Sequence, residues 1–145
     1  MTTIYTSAED AEEAFYEAIG RGDLDALMDT WSDDDEIICI HPTGQRMEGT
    51  LAVRESWRAI LESNPRFSVH VRSKVCWESS LISVHSVVET LFLEKDQTPH
   101  GPMLSTNVFI RGIHGWRLLS RHTSAATETA EDSDEASDSQ QHTLH

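Results

Sequence analysis

Apolar residues recur three and four apart through Ala11, Ala14, Phe15, Ala18 and Ile19, the spacing of one buried helix face. Thr6 or Ser7 offers a capping oxygen, Glu9 or Asp10 completes a capping box, and Gly20 and Gly22 end the run. Asp23 caps a second, short helix whose apolar face is Leu24, Leu27, Met28 and Trp31. The acidic turn Ser32-Asp33-Asp34-Asp35 leads into a strand over Glu36–Ile40, closed by His41-Pro42. Thr43–Gly49 then carries the chain to a third helix, capped by Thr50 and striped by Val53, Trp57, Ile60 and Leu61. Asn64-Pro65 stops it, because the residue before a proline is disfavoured in the helical region.

Beyond Pro65 the period changes from helical to alternating. Phe67, Val69, Val71, Val75 and Trp77 interleave with polar positions, which predicts a half-buried strand. Leu81–Leu93 is apolar on both parities and reads as a central strand. Glu94–Pro102 is a connection, and Met103–Arg111 and Trp116–Thr123 form a hairpin around Gly112-Ile113-His114-Gly115. Three helices with one inserted strand, then four sequential antiparallel strands, define an α+β fold with helices on one side of the sheet.

Charge changes this picture at one end only. Net charge is −14, but Glu128, Glu131, Asp132, Asp134, Glu135 and Asp138 crowd a segment with no Lys or Arg. Of the 25 acids, 19 then remain against 11 bases, so the folded part carries −8. The expected organisation is one domain over 1–123 and a disordered acidic tail over 124–145. The acidic balance repels phosphate backbones and excludes nucleic acid as a partner. No run has the roughly 20 apolar residues of a membrane span. The first residues lack a signal peptide's charged and apolar segments, so the expected compartment is the cytoplasm. Cys39 and Cys76, without CxxC spacing, read as buried thiols there.

The candidate chemistry begins at His41. An imidazole at the end of a buried strand titrates near 6.5 and can exchange protons at physiological pH, although it could equally bond the backbone beside Pro42. Asn107, in a strand, must satisfy a buried amide, either on a ligand oxygen or on His41 or the backbone. Glu89 stands among Val87, Val88, Leu91 and Phe92, where a carboxylate needs a partner. It could orient a histidine, pair with Arg121 or Arg117, or face water on the outer sheet surface. Trp31 reads as core, and Trp57 as core or the mouth of a cavity. No HxH, HExxH or His/Cys spacing is present, so no metal is expected, and no glycine-rich phosphate loop or other cofactor motif occurs.

Several stretches together resemble the nuclear-transport-factor-2-like superfamily, which includes ketosteroid isomerases and SnoaL-like proteins. They are Ala14–Ile19 with Gly22–Leu27, Trp31–Asp34, His41-Pro42, Gly49 with Val53 and Ser56-Trp57, Thr106–Phe109, and Gly115–Arg117. The resemblance spans roughly residues 8 to 124 and implies a cone-shaped curved antiparallel sheet packed on three N-terminal helices, with an apolar pocket between. It places His41 where ketosteroid isomerases carry a carboxylate base, and Asn107 where they carry a protonated acid. Their helix-one tyrosine falls on Phe15, with Tyr16 pointing elsewhere. Counting from the Gly115 turn puts His122 and Ser124 on the cavity lining. Scytalone-dehydratase-like members of the superfamily use histidine.

Two functions follow as expectations. The first is a cofactor-free proton-transfer enzyme of isomerase, dehydratase or cyclase type, with His41, Asn107 and Glu89 as catalytic residues. Trp31, Trp57, His122, Ser124 and Phe15 would line the site for a small apolar or carbonyl-containing ligand. The second is a non-catalytic association or ligand-binding module working as a homodimer through its open sheet face.

Overall fold

A computed structural model describes residues 3–95 and 97–126, so the acidic segment 127–145 lies outside the described residues. Three helices, α1 (Ala8–Arg21), α2 (Leu24–Asp29) and α3 (Thr50–Ser63), pack on a six-stranded sheet. Its strands are β1 (Ile38–Ile40), β2 (Arg46–Glu48), β3 (Phe67–Glu78), β4 (Ile82–Leu93), β5 (Pro99–Gly112) and β6 (Gly115–Ala125). The fold is α+β, as the alternation predicts.

Local chemistry sets the helix ends. Ser7 Oγ accepts from the Asp10 N–H at 3.0 Å, Asp23 Oδ1 accepts from the Ala26 N–H at 3.0 Å, and Gly22 closes α1 in the left-handed conformation. Along α1, Ala8, Ala11, Phe15, Ala18 and Ile19 are buried and face the sheet. They join Leu27, Trp31, Val53, Trp57, Phe109 and Leu118 in one core.

The strand order is β2-β1-β6-β5-β4-β3. Every pairing is antiparallel except β1 with β6, so the sheet is mixed where the sequence pattern predicts an antiparallel one. The difference arises because β1 is remote in sequence and inserts beside the last strand. Arg46–Glu48, read as connection, is the short edge strand β2; three residues with alternating charge carry no strand signal. β5 begins at Pro99 inside the expected loop, and β6 continues past Thr123 to Ala125.

Three bulges bend the sheet and reverse side-chain parity along a strand. They lie at Ser73-Lys74 in β3, at Gly101-Pro102 in β5 and at Leu119 in β6. On the helix-facing surface this leaves Ser83, His85, Val87 and Glu89 of β4, Ser105, Asn107 and Phe109 of β5, and Leu118, Arg121 and Thr123 of β6, all buried. Tyr5 pairs with Gly115 at the hairpin end, where a Cβ on residue 115 would stand 2.4 Å from the Tyr5 carbonyl oxygen, so only glycine fits.

Candidate functional site

His41 follows β1 and opens a turn in which the Gly44 N–H donates to its carbonyl at 2.8 Å. Its ring is buried against Trp57, with centroids 5.3 Å apart and planes nearly perpendicular. His41 Nε2 lies 2.9 Å from Ser56 Oγ, and Ser56 donates its hydroxyl proton to the Val53 carbonyl at 2.8 Å. A Ser56 proton committed to Val53 leaves Ser56 Oγ as an acceptor and favours the His41 tautomer protonated on Nε2, which also stands 3.7 Å from Cys39 Sγ. The Nδ1 lone pair has no hydrogen-bond partner among the described residues. Burial, and secondarily the charge of Arg121, hold the imidazole below its ordinary 6.5, so it is neutral at pH 7.

His41 and Trp57 line a cavity of about 140 Å³ between α1, α3 and the sheet. Ile19, Ile60, Phe67, Val69, Leu91 and Met103 supply its apolar wall, and Glu89, Arg121 and Thr123 its polar part. Arg121 grips Glu89 with two parallel bonds, Nη1 to Oε2 at 2.8 Å and Nη2 to Oε1 at 3.0 Å. The Tyr16 hydroxyl donates to Glu89 Oε2 at 2.6 Å. Asn107 accepts from Arg121 Nη1 at 3.0 Å and donates to Glu12 Oε2 and the Tyr16 oxygen, both at 3.0 Å. The guanidinium lies over the Phe15 and Tyr16 rings, 5.0 and 5.8 Å from their centroids.

Behind Asn107 the network continues to the edge of the sheet. Lys74 Nζ stands 2.8 Å from Glu12 Oε1 and His85 Nδ1 3.1 Å from Glu12 Oε2, as close contacts rather than aligned hydrogen bonds. Burial alone would raise the Glu89 carboxyl, but Arg121 and the Tyr16 hydroxyl outweigh it and hold the group below the usual range. Burial likewise opposes ionisation of Glu12, and His85, Lys74 and Asn107 outweigh it. Burial pushes the Tyr16 phenol upward, so it stays a donor, and pushes the Cys39 thiol up to about 11.

These shifts have one sign. His41, Glu89 and Glu12 all hold protons less readily in the folded chain than in the unfolded one, so acid drives protons onto the unfolded state. Their contribution is complete above the unfolded values. It is lost as pH falls, first below 6.5 through His41 and then more steeply below 4.5 through the carboxylates. The urea midpoint should therefore decline from pH 7 to pH 4; a midpoint constant over that range would contradict the assignment.

The expected site residues separate into four groups. His41, Glu89 and Trp57 line the cavity. Asn107 lies behind it, its amide bound to Glu12, Tyr16 and Arg121 and not to His41. Phe15 is in the core beneath Arg121, and Trp31 packs on Phe15 while walling a separate cleft of about 390 Å³ by the β5–β6 hairpin.

His122 and Ser124 are exposed and do not line the cavity. The bulge at Leu119 inverts the parity counted from the Gly115 turn, and Arg121 and Thr123 take the inward positions. Tyr16, expected to point away, reaches the site because its long side chain brings the hydroxyl to Glu89 although the ring lies off the buried stripe. Ser56 enters the sequence reading only as part of the resemblance, with no role given to it, and Glu12 carries no distinguishing signal. Glu12 sits one residue beyond Ala11 on the helix, and its charge suggests solvent.

The chain belongs to the SnoaL-like domain family, which matches residues 8–128. It is similar to the structure of a candidate calcium/calmodulin-dependent protein kinase type II association domain from Thiobacillus denitrificans. That likeness has 32% identity and a TM-score of 0.80, and covers 86% of this chain and 98% of that one. A candidate dehydratase of the NTF2-like family from Streptomyces avermitilis superposes with a TM-score of 0.73 at 24% identity, over 81% of this chain and 91% of that one. The F-box protein SKIP8 of Arabidopsis thaliana is 28% identical over 113 residues, 76% of this chain. The chain spans 46% of that relative's length.

Proposed function

We propose that this SnoaL-like domain binds a small molecule in the His41 cavity and moves a proton on it without a cofactor. The observation that carries the reading is the 2.9 Å contact of His41 Nε2 with Ser56 Oγ at the wall of the cavity. With its proton held on Nε2 by Ser56, the neutral ring offers Nδ1 as a base inside an apolar pocket. An acid proton on a carbon next to a carbonyl would pass to Nδ1, giving an imidazolium and an enolate. Returning it to another carbon isomerises the ligand; giving it to a departing β-hydroxyl releases water and dehydrates it. Asn107, fully engaged, leaves the enolate oxygen to Arg121, whose Nε–H and second Nη2–H have no acceptor among the described residues. The two free cysteines suit a reducing cytoplasm.

The test is deuterium exchange at the α-carbon of small neutral ketones in heavy water, followed by proton NMR with wild type and His41→Ala. Wild type should exchange at least one panel member, and the variant should lose about 100-fold or more of that rate while remaining folded. Equal rates in two folded proteins, or no exchange above buffer in either, would remove the reading.

A second reading, a homodimeric association module, is favoured by the outer sheet face. Trp77 and Leu104 are 54% and 43% exposed there, and the Thiobacillus denitrificans relative bears the association-domain description. No exchange together with a stable dimer by light scattering would favour this second reading. No helix among the described residues is long and apolar enough to cross a membrane.

A further inference from the structure

The cavity contains one buried cation, and a buried arginine ordinarily suggests an anionic ligand. Arg121 differs because its charge is already paired. Glu89 meets it through two hydrogen bonds, and both side chains are almost wholly buried, at 1% and 5% exposure. The next charges outward, Glu12 and Lys74, stand 2.8 Å apart and cancel each other. His41 brings no charge at neutral pH, because burial opposes its protonation.

We infer that Glu89 is the charge-selecting residue of the cavity: by neutralising Arg121 it admits small uncharged polar molecules and rejects carboxylates. The inference rests on the reading that the cavity binds a ligand and specifies the class of that ligand. A carboxylate reaching the free Arg121 N–H groups would share one guanidinium with Glu89, which already holds its Nη1–Nη2 edge. The repulsion from Glu89 then offsets part of the attraction, while the full cost of removing the anion from water remains. A carbonyl or amide oxygen can accept the same hydrogen bonds and pays no such cost, and an enolate formed from a neutral ligand inside the cavity is never drawn out of water. Size narrows the class further. An apolar cavity of about 150 Å³ holds benzene, so about 140 Å³ fits a compact molecule of similar bulk.

Isobutyramide and isobutyrate share one shape and differ in charge, which makes them suitable probes. Each would be titrated into the full chain at pH 7 and followed by amide NMR shifts of residues around His41 and Arg121. Wild type should bind isobutyramide at least tenfold more tightly than isobutyrate. Glu89→Gln keeps the shape of the side chain and leaves Arg121 uncompensated, so the order should reverse, with isobutyrate raising the melting temperature of the variant. The wild-type comparison decides the question even if the variant does not fold.

Isobutyrate binding wild type as tightly as the amide would overturn the inference and leave the cavity reading intact. Silence from both probes on both proteins would overturn the two together, and the complete absence of binding distinguishes that case.

Discussion

Arg121→Met should unfold at markedly lower urea than wild type, with a loss of about 3–5 kcal/mol, because it strands the Glu89 carboxylate in the interior. The Tyr16 hydroxyl would remain as a donor to Glu89, and the Asn107 carbonyl would lose its Arg121 bond. The stranded Glu89 carboxylate cannot recover hydration, since it is almost completely buried. Against a total stability of about 5–15 kcal/mol for a typical domain, a loss of this size leaves a marginal protein. The double variant Glu89→Leu/Arg121→Met should cost less than Arg121→Met alone. Replacing a whole buried ion pair by apolar groups removes the desolvation penalty together with the attraction. Urea denaturation of the two proteins measures the difference. A double variant less stable than Arg121→Met would show that Glu89 is held by the rest of the network and not chiefly by Arg121.

Tyr16 and Asn107 explain why the double variant is not expected to equal wild type. Each donates or accepts within the same cluster, and each orphaned polar group costs about 1–3 kcal/mol. The cluster acts as a frame. It fixes the floor of the cavity, while His41 is fixed from the opposite side by Ser56 and Trp57. The His41 ring and the Arg121 guanidinium, held by separate elements, keep their spacing without a ligand, as the proposed proton transfer would require.

The helical part of this arrangement was readable from residues 1–66, where period, caps and proline act locally, except that Gly49 and not Thr50 is the N-cap of α3, with no side-chain bond. Ser7, Asp23 and the Asn64-Pro65 stop stand at or within one residue of the helix ends. The strands of the hairpin region were readable for the same reason. What periodicity could not carry was parity across a bulge. One extra residue, Leu119, turns His122 outward and Arg121 inward, and no local residue type announces it. The bulge at Ser73-Lys74 likewise turns Lys74 toward Glu12 in a strand that otherwise alternates regularly. The parallel pairing of β1 with β6 joins residues some eighty positions apart, beyond the reach of any local pattern. His41, Glu89 and Trp57 were within reach because each stands out against its own neighbours. Ser56 and Glu12 were not, because a serine and a glutamate on a helix are ordinary surface residues until the partner strand is known.

Phe15→Ala separates a core residue from a pocket residue. Its ring makes edge contacts with Tyr16, Trp57 and Trp31 at 5.2, 5.5 and 6.4 Å, and the Arg121 guanidinium lies 5.0 Å above it. Truncation removes a fully buried aromatic side chain from a packed aromatic cluster and should cost about 3–5 kcal/mol. The void left behind is apolar on the tryptophan side, so water gains nothing by entering it. Saturating benzene should recover part of the lost stability in the variant and raise its melting temperature by more than that of wild type, whose existing cavity can also admit it. A residue that only walled the ligand cavity would behave in the opposite way, with stability nearly kept and ligand affinity changed. Melting curves with and without benzene, beside the isobutyramide titration on the same variant, therefore assign Phe15. A loss below 1 kcal/mol with a large drop in affinity would move it from the core to the binding surface.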